Sequence, residues 1–175
     1  MKRVILLSVI CLSIFTLNAQ EDLPEKRNEV KTNMTNLIIF KWVDFGYERI
    51  LNEESSIGVG VLFSLDDDEY INDELRKFSI TPYYRHFFSN QYAKGFFVEG
   101  FAMLHSGSEE IYLEFFDEFA DEDFTDLAIG LSAGFKAVSI RGFVAEVYLG
   151  IGRDLLGNSD LELVTRGGIS LGYRF

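Results

Sequence analysis

The sequence predicts an all-β fold, an eight-stranded antiparallel up-and-down transmembrane β-barrel. Three observations carry that expectation. Apolar and polar residues alternate with period 2, in segments near the roughly ten residues of a membrane-spanning strand. Helical i, i+3, i+4 stripes are scarce. The chain of 175 residues is also apolar and acidic at once, with 47% hydrophobic residues and a formal net charge of −12.

After a polar lead from Glu21 to Asn28, strand one is expected at Glu29–Leu37 and strand two at Trp42–Leu51, closed by the polar turn Asn52-Glu53-Glu54-Ser55. Strand three, Ser56–Ser64, sets Ile57, Val59, Val61 and Phe63 against Gly58, Gly60 and Leu62. An acidic stretch opening on Asp66, Asp67, Asp68 and Glu69 and running to Glu74 leads to strand four, Leu75–Phe88. Ser89 to Lys94 reads as a turn before strand five, Gly95–His105. A long acidic loop, Ser106–Phe124, precedes strand six, Thr125–Lys136. Strand seven is expected at Arg141–Arg153, after a weakly marked turn. Leu156-Gly157-Asn158-Ser159-Asp160 is a turn signal, and strand eight runs over Leu161–Phe175.

The connections after strands two, four and six are short, and those after three and five are long. Outer-membrane barrels have an even strand number, short turns at one end and longer loops at the other. The two acidic stretches, Asp66–Glu74 and Glu109–Asp126, hold 15 of the 28 acidic residues and both fall at the loop end. The charge therefore belongs mainly to two exposed loops, and the positive mean hydropathy to a lipid-facing surface.

Period 2 also separates two faces. Strand seven sets Phe143, Ala145, Val147, Leu149 and Ile151 against Val144, Glu146, Tyr148, Gly150 and Gly152. The polar face mixes single charges with Gly and Ser, whose small size suits a crowded lumen. Lipid then lies against the apolar face. On this register the lumen holds Lys31, Asp44, Glu48, Arg85, Glu99, Glu146, Arg166 and Arg174. Buried charges persist when paired, so a salt-bridge ladder is expected to fill the lumen. Trp42, Phe63, Tyr83, Tyr84, Phe87, Phe88, Tyr92, Phe96, Phe97, Tyr173 and Phe175 lie near strand ends and are expected to form interfacial girdles.

Residues 1–20 have the layout of a cleaved signal peptide: a basic start (Lys2, Arg3), an apolar run from Val4 to Phe15, then a more polar stretch. That run is too short for the roughly 20 residues of a spanning helix. Cys11, the single cysteine, would leave with it. Residues 21–175 form the barrel domain on this reading, with no room for a second one.

The final segment, Gly167-Gly168-Ile169-Ser170-Leu171-Gly172-Tyr173-Arg174-Phe175, carries Leu171, Tyr173 and Phe175 on its apolar face. It resembles the C-terminal signal by which outer-membrane barrels are recognised for insertion. With the leader and the strand count, the chain resembles the small OmpA/OmpX-type outer-membrane barrels of Gram-negative bacteria. Val30-Lys31-Thr32-Asn33 is similar to the opening of a short, uncharacterised outer-membrane barrel family. The resemblance implies a monomer in the bacterial outer membrane, surrounded by lipid and lipopolysaccharide and handled by the barrel-assembly machinery during insertion. It implies no cofactor and, without a peptidoglycan-binding domain, no tether to the wall.

So acidic a chain lacks the clustered Lys and Arg that nucleic acid requires. No metal site and no catalytic residue are expected. His105-Ser106-Gly107-Ser108, followed by Glu109-Glu110, contains the parts of a hydrolase triad at the rim. Adjacent loop residues rarely reach the required geometry, so a rim-sited lipid hydrolase is the alternative rather than the expectation. His86 is expected in the girdle. The acidic loop of Asp66, Asp67, Asp68 and Glu69 offers oxygen ligands but lacks the glycine-centred calcium pattern. A soluble lipocalin-like carrier is the third class. The expected function is a structural or interaction role through acidic outer loops, with a closed lumen.

Overall fold

Alternating sequence becomes alternating faces in eight strands. A computed structural model describes residues 26–65, 76–89, 91–113, 118–156 and 163–175. In chain order these are β1 (Asn28–Asn33), α1 (Met34–Ile39), β2 (Trp42–Ile50), β3 (Ser55–Ser64), β4 (Phe78–Phe87), β5 (Gly95–Leu113), β6 (Glu118–Val138), β7 (Phe143–Asp154) and β8 (Leu163–Arg174). Each strand pairs with the next, and β8 returns to β1, giving a closed antiparallel barrel. The signal-peptide region, the acidic run 66–75 and the turn at 157–162 lie outside the described residues.

The two faces are inverted relative to a water-soluble barrel. Outside stand Leu149, 77% exposed, with Leu131, Phe143, Phe45, Ile151 and Ile169. Inside, Glu29, Glu48, Glu99 and Asp126 are fully buried, and Arg85 and Lys136 are 1% exposed. Apolar surface turned outward and charge turned inward is the polarity a bilayer demands. A soluble lipocalin-like barrel needs the opposite.

One end of the barrel is closed tightly. Asn52 Oδ1 accepts from the amide of Glu54 and from Ser55 Oγ, both at 2.9 Å, to turn β2 into β3. The terminal residues join at this end, Asn28 N donating to Phe175 O at 3.0 Å and Phe175 N to Asn28 O at 2.8 Å. Ile50, Phe87, Ala93, Phe97 and Tyr148 pack into an apolar cluster inside the lumen near it.

Three expectations are corrected. Strand one does not continue to Leu37: it stops at Asn33, whose Oδ1 accepts from Thr35 N at 3.1 Å and Asn36 N at 3.2 Å and starts α1. Asn is a favoured helix N-cap, and that local preference wins over the alternating pattern. The segment expected as an acidic loop from Ser106 to Phe124 is largely strand, because β5 and β6 stay in register from Gly95↔Lys136 to Leu113↔Glu118. Backbone pairing continues there through the acidic sequence. Finally, Trp42, Tyr83, Phe87 and Phe97 are not girdle residues, since all four are buried in the lumen. Parity puts them on the face of Arg85 and Glu99, and their volume fills space that charges alone leave open. Phe63, Tyr84, Phe88, Phe96, Tyr173 and Phe175 do stand outside. His86 is half-buried, its ring edge-on to Phe88 at 4.8 Å.

Candidate functional site

The lumen divides into a charged lower half and an open upper half. The lower half is one connected set of ion pairs drawn from seven strands. Arg174 Nε donates to Glu29 Oε1 at 2.6 Å, and Lys136 Nζ joins Glu29 at 2.8 Å to Glu48 at 2.6 Å. Lys31 Nζ bridges Glu48 at 2.6 Å and Glu146 at 3.0 Å. Arg85 occupies the centre. Its Nη1 lies 3.1 Å from Glu48 and 2.8 Å from Glu146, and its Nη2 lies 2.6 Å from Glu99. Arg166 Nη1 completes the set on the other oxygen of Glu99 at 2.8 Å. Ser56, Ser132 and Tyr83 donate to the same carboxylates.

Each charge is held by strand geometry. Glu99 is opposite Arg85 in the β4–β5 register, and Glu29 opposite Arg174 in the β1–β8 register. Glycines keep the backbone close enough for this packing. A Cβ on Gly134 would meet Val147 O at 2.4 Å and the Phe97 ring at 2.6 Å. Aromatic faces complete the solvation of the guanidinium groups, with Arg85 3.8 Å above the Phe97 ring and Arg166 5.0 Å from Phe101. Cation–π contact strengthens when water is excluded. A void of about 20 Å³ lies among Lys31, Tyr83, Arg85, Glu146 and Arg166. That is room for about one water molecule.

Of the eight charges assigned to the lumen by parity, the structure brings together Lys31, Glu48, Arg85, Glu99, Glu146, Arg166 and Arg174. Asp44 lies apart, its Oδ2 accepting from Asn36 Nδ2 at 2.8 Å. Glu29 and Lys136 belong to the network and were missed. Both stand at the edges of their expected strands, and stepping by two from Lys31 and from Ser132 would have reached them. Leu171, Tyr173 and Phe175 are all on the outer face, at 50%, 39% and 50% exposure. Asp66, Asp67, Asp68 and Glu69 lie outside the described residues. Among the described residues no cluster of His, Cys, Asp or Glu has the arrangement of a metal site.

Above the network the lumen opens into a vestibule of about 460 Å³. His105 enters it from β5, its Nε2 2.8 Å from Asp154 Oδ1 on β7, with the Phe124 ring edge-on at 5.8 Å. Asp126, expected at the start of strand six and counted in the second acidic stretch, is buried on β6 and accepts from the amides of Leu127 at 2.6 Å and Leu156 at 3.0 Å. Ser106 alternates to the face opposite His105. The histidine therefore turns its ring to a distant carboxylate and away from the neighbouring serine. His105 is thus paired with Asp154 and not with the adjacent Ser106.

The family model described as protein of unknown function (DUF3575) matches residues 5–161. The chain belongs to this family. Among solved structures, the chain is similar to the N-terminal β-barrel domain of Pseudomonas aeruginosa OprF, with a TM-score of 0.56 and 13% identity. The likeness covers 86% of this chain and 98% of that domain. At such identity it establishes the shared fold, an eight-stranded barrel of the outer-membrane type. No curated protein matches the chain in sequence. In this DUF3575 barrel the distinctive features are thus the ion-paired lower lumen and the vestibule above it.

Proposed function

We propose that the chain is an integral outer-membrane barrel with a closed lumen and no catalytic role, acting through what it presents at its loop end. The observation that carries this reading is the inversion of polarity: a belt of exposed Leu, Ile, Val and Phe around an ion-paired interior. Eight strands enclose an interior just wide enough for side chains to fill, and the network of Arg85, Glu48, Glu99 and Glu146 closes its lower half. The long β5–β6 hairpin supports an interaction role. Past Ser106 and Ala128 it has no neighbouring strand among the described residues. At a rise of about 3.4 Å per residue, it projects on the order of 20 Å.

The test is membrane fractionation followed by gel electrophoresis without boiling. The protein should resist carbonate extraction and migrate faster unboiled than boiled. Release into the soluble fraction with no mobility shift would defeat the proposal. Planar-bilayer recording should find no steady conductance, because the ion-paired layer leaves no continuous water path.

A further inference from the structure

The barrel wall is incomplete at one place. β1 ends at Asn33, opposite Ser170, so among the described residues β8 from Leu163 to Ile169 has no strand on that side. α1 crosses the gap instead, and side chains take the place of strand partners. Thr35 Oγ1 accepts from Ile169 N at 2.9 Å, Asn33 Nδ2 donates to Gly167 O at 3.0 Å, and Arg76 Nη2 donates to Thr165 O at 3.3 Å. A backbone polar group left unpaired in hydrocarbon costs several kcal/mol, so these three contacts help to seal the seam. Gly168, with φ of +136°, lets β8 bend beside Asn33, where a Cβ would meet Asn33 Oδ1 at 2.6 Å.

The seal is thin. The vestibule is bounded by inward residues such as Met103 and Val164, and also by Leu149 and Leu163. Leu149 and Leu163 are 77% and 57% exposed on the outer face. Two outward-facing residues thus bound the cavity where side chains replace strand partners of β8, so the wall is thinnest there, and Leu149, midway along β7, sets that place at the depth of lipid chains.

The interior is built for an amphiphile. Leu62, Met103, Phe124 and Val164 supply apolar wall. Arg76, 8% exposed, brings a cation from the connection before β4, and its Nε has no hydrogen-bond partner among the described residues. Trp42 Nε1 and His105 Nδ1 are likewise without partners, and both side chains line the cavity. Burial and the neighbouring Arg166 push Arg76 down to a pKa of about 10, against the opposing pull of Asp44 and Asp154. An anion beside Arg76 would offset both effects. The volume of about 460 Å³ falls in the roughly 300–1,000 Å³ range of small-molecule sites.

We propose that the vestibule binds a single-chain amphiphile with an anionic head, of the long-chain fatty acid class, drawn from the outer leaflet through the seam between α1 and β8. The head lies by Arg76 and the chain along the apolar wall. This rests on the reading of the protein as a membrane barrel.

Trp42 is the chain's single tryptophan and lines the cavity, so it reports occupancy directly. The full barrel in lipid nanodiscs is titrated with a dansyl-labelled long-chain fatty acid while energy transfer from Trp42 is followed. Saturable transfer, reversed by unlabelled palmitate, is expected. Arg76→Gln should weaken binding about tenfold, the worth of a charge-assisted hydrogen bond. Gly60→Leu should abolish the saturable component, because a Cβ there meets nothing closer than 3.9 Å and the side chain grows into the cavity. Both variants should keep the heat-dependent gel shift, which separates loss of the site from loss of the barrel. Non-saturable transfer in the wild type, or wild-type affinity in both variants, overturns the proposal. Absence of the gel shift from the wild type overturns the membrane-barrel reading and the site with it.

Discussion

Arg85 and Glu99 face each other across β4 and β5, joined through Nε at 3.0 Å and Nη2 at 2.6 Å. Neither side chain is more than 1% exposed. Removing one partner of a buried pair strands the other charge, at about 3–5 kcal/mol. Arg85→Leu and Glu99→Leu should therefore each lower the temperature at which the unboiled gel band converts to the unfolded one. Arg85→Leu should do more, because it also abandons Glu48 and Glu146. The double variant should cost less than the two singles combined, since the pair shares one interaction. Single variants that melt like wild type would remove the network from the stability of the barrel.

Lys136 joins Glu29 to Glu48 and is buried completely at its side chain. Lys136→Met keeps the length and removes the charge. It should destabilise the barrel by an amount comparable to Arg85→Leu, about 3 kcal/mol or more. Urea unfolding of the reconstituted protein measures the difference.

Two glycines of the same lumen face should respond differently. Gly134→Ala forces a Cβ to 2.4 Å from Val147 O, so the β6–β7 pair must shift. Overpacking of this kind costs typically about 1–3 kcal/mol. Gly60→Ala meets nothing within 3.9 Å and should be close to neutral in the same melt.

Asn33→Ala removes the cap of α1 and the bridge to Gly167 O together. A lost cap costs about 1 kcal/mol. Hydrogen exchange should rise in residues 34–39 and at Gly167–Ile169, while exchange in β4 and β5 stays unchanged. Uniform acceleration along the chain would mean that the seam is not a separate unit.

The geometry at His105 bears on the hydrolase alternative. The ring is held by Asp154, and Ser106 stands on the other face of β5. Expression of the protein should leave the mass of lipid A unchanged, and His105→Ala should make no difference to it. A mass loss that disappears in His105→Ala would restore the enzyme.

Strand number, strand order and the assignment of faces were legible in the sequence because each depends only on period 2 and on turn residues. Alternation put Lys31, Glu48, Arg85, Glu99, Glu146, Arg166 and Arg174 on one face, and nothing non-local is needed for that step. Where local chemistry competed with alternation, reading failed. Asn33 capped a helix in place of four further strand residues, and the acidic stretch after Ser106 kept its backbone paired. Proximity to a strand end also misassigned Trp42, Tyr83, Phe87 and Phe97, for which parity was the better guide.

Which charge meets which was decided only in three dimensions. Lys136 and Glu29 are 107 residues apart, and Arg85 and Glu146 are 61 apart. Their contact depends on barrel closure and on side-chain reach across the lumen, neither of which a strand pattern encodes. The vestibule has the same origin. It exists because β1 is shorter than β8 and because Arg76, His105 and Asp154 converge from three different connections and strands. Period 2 determined what faces inward, and packing across the closed barrel determined where the lumen is filled and where it opens.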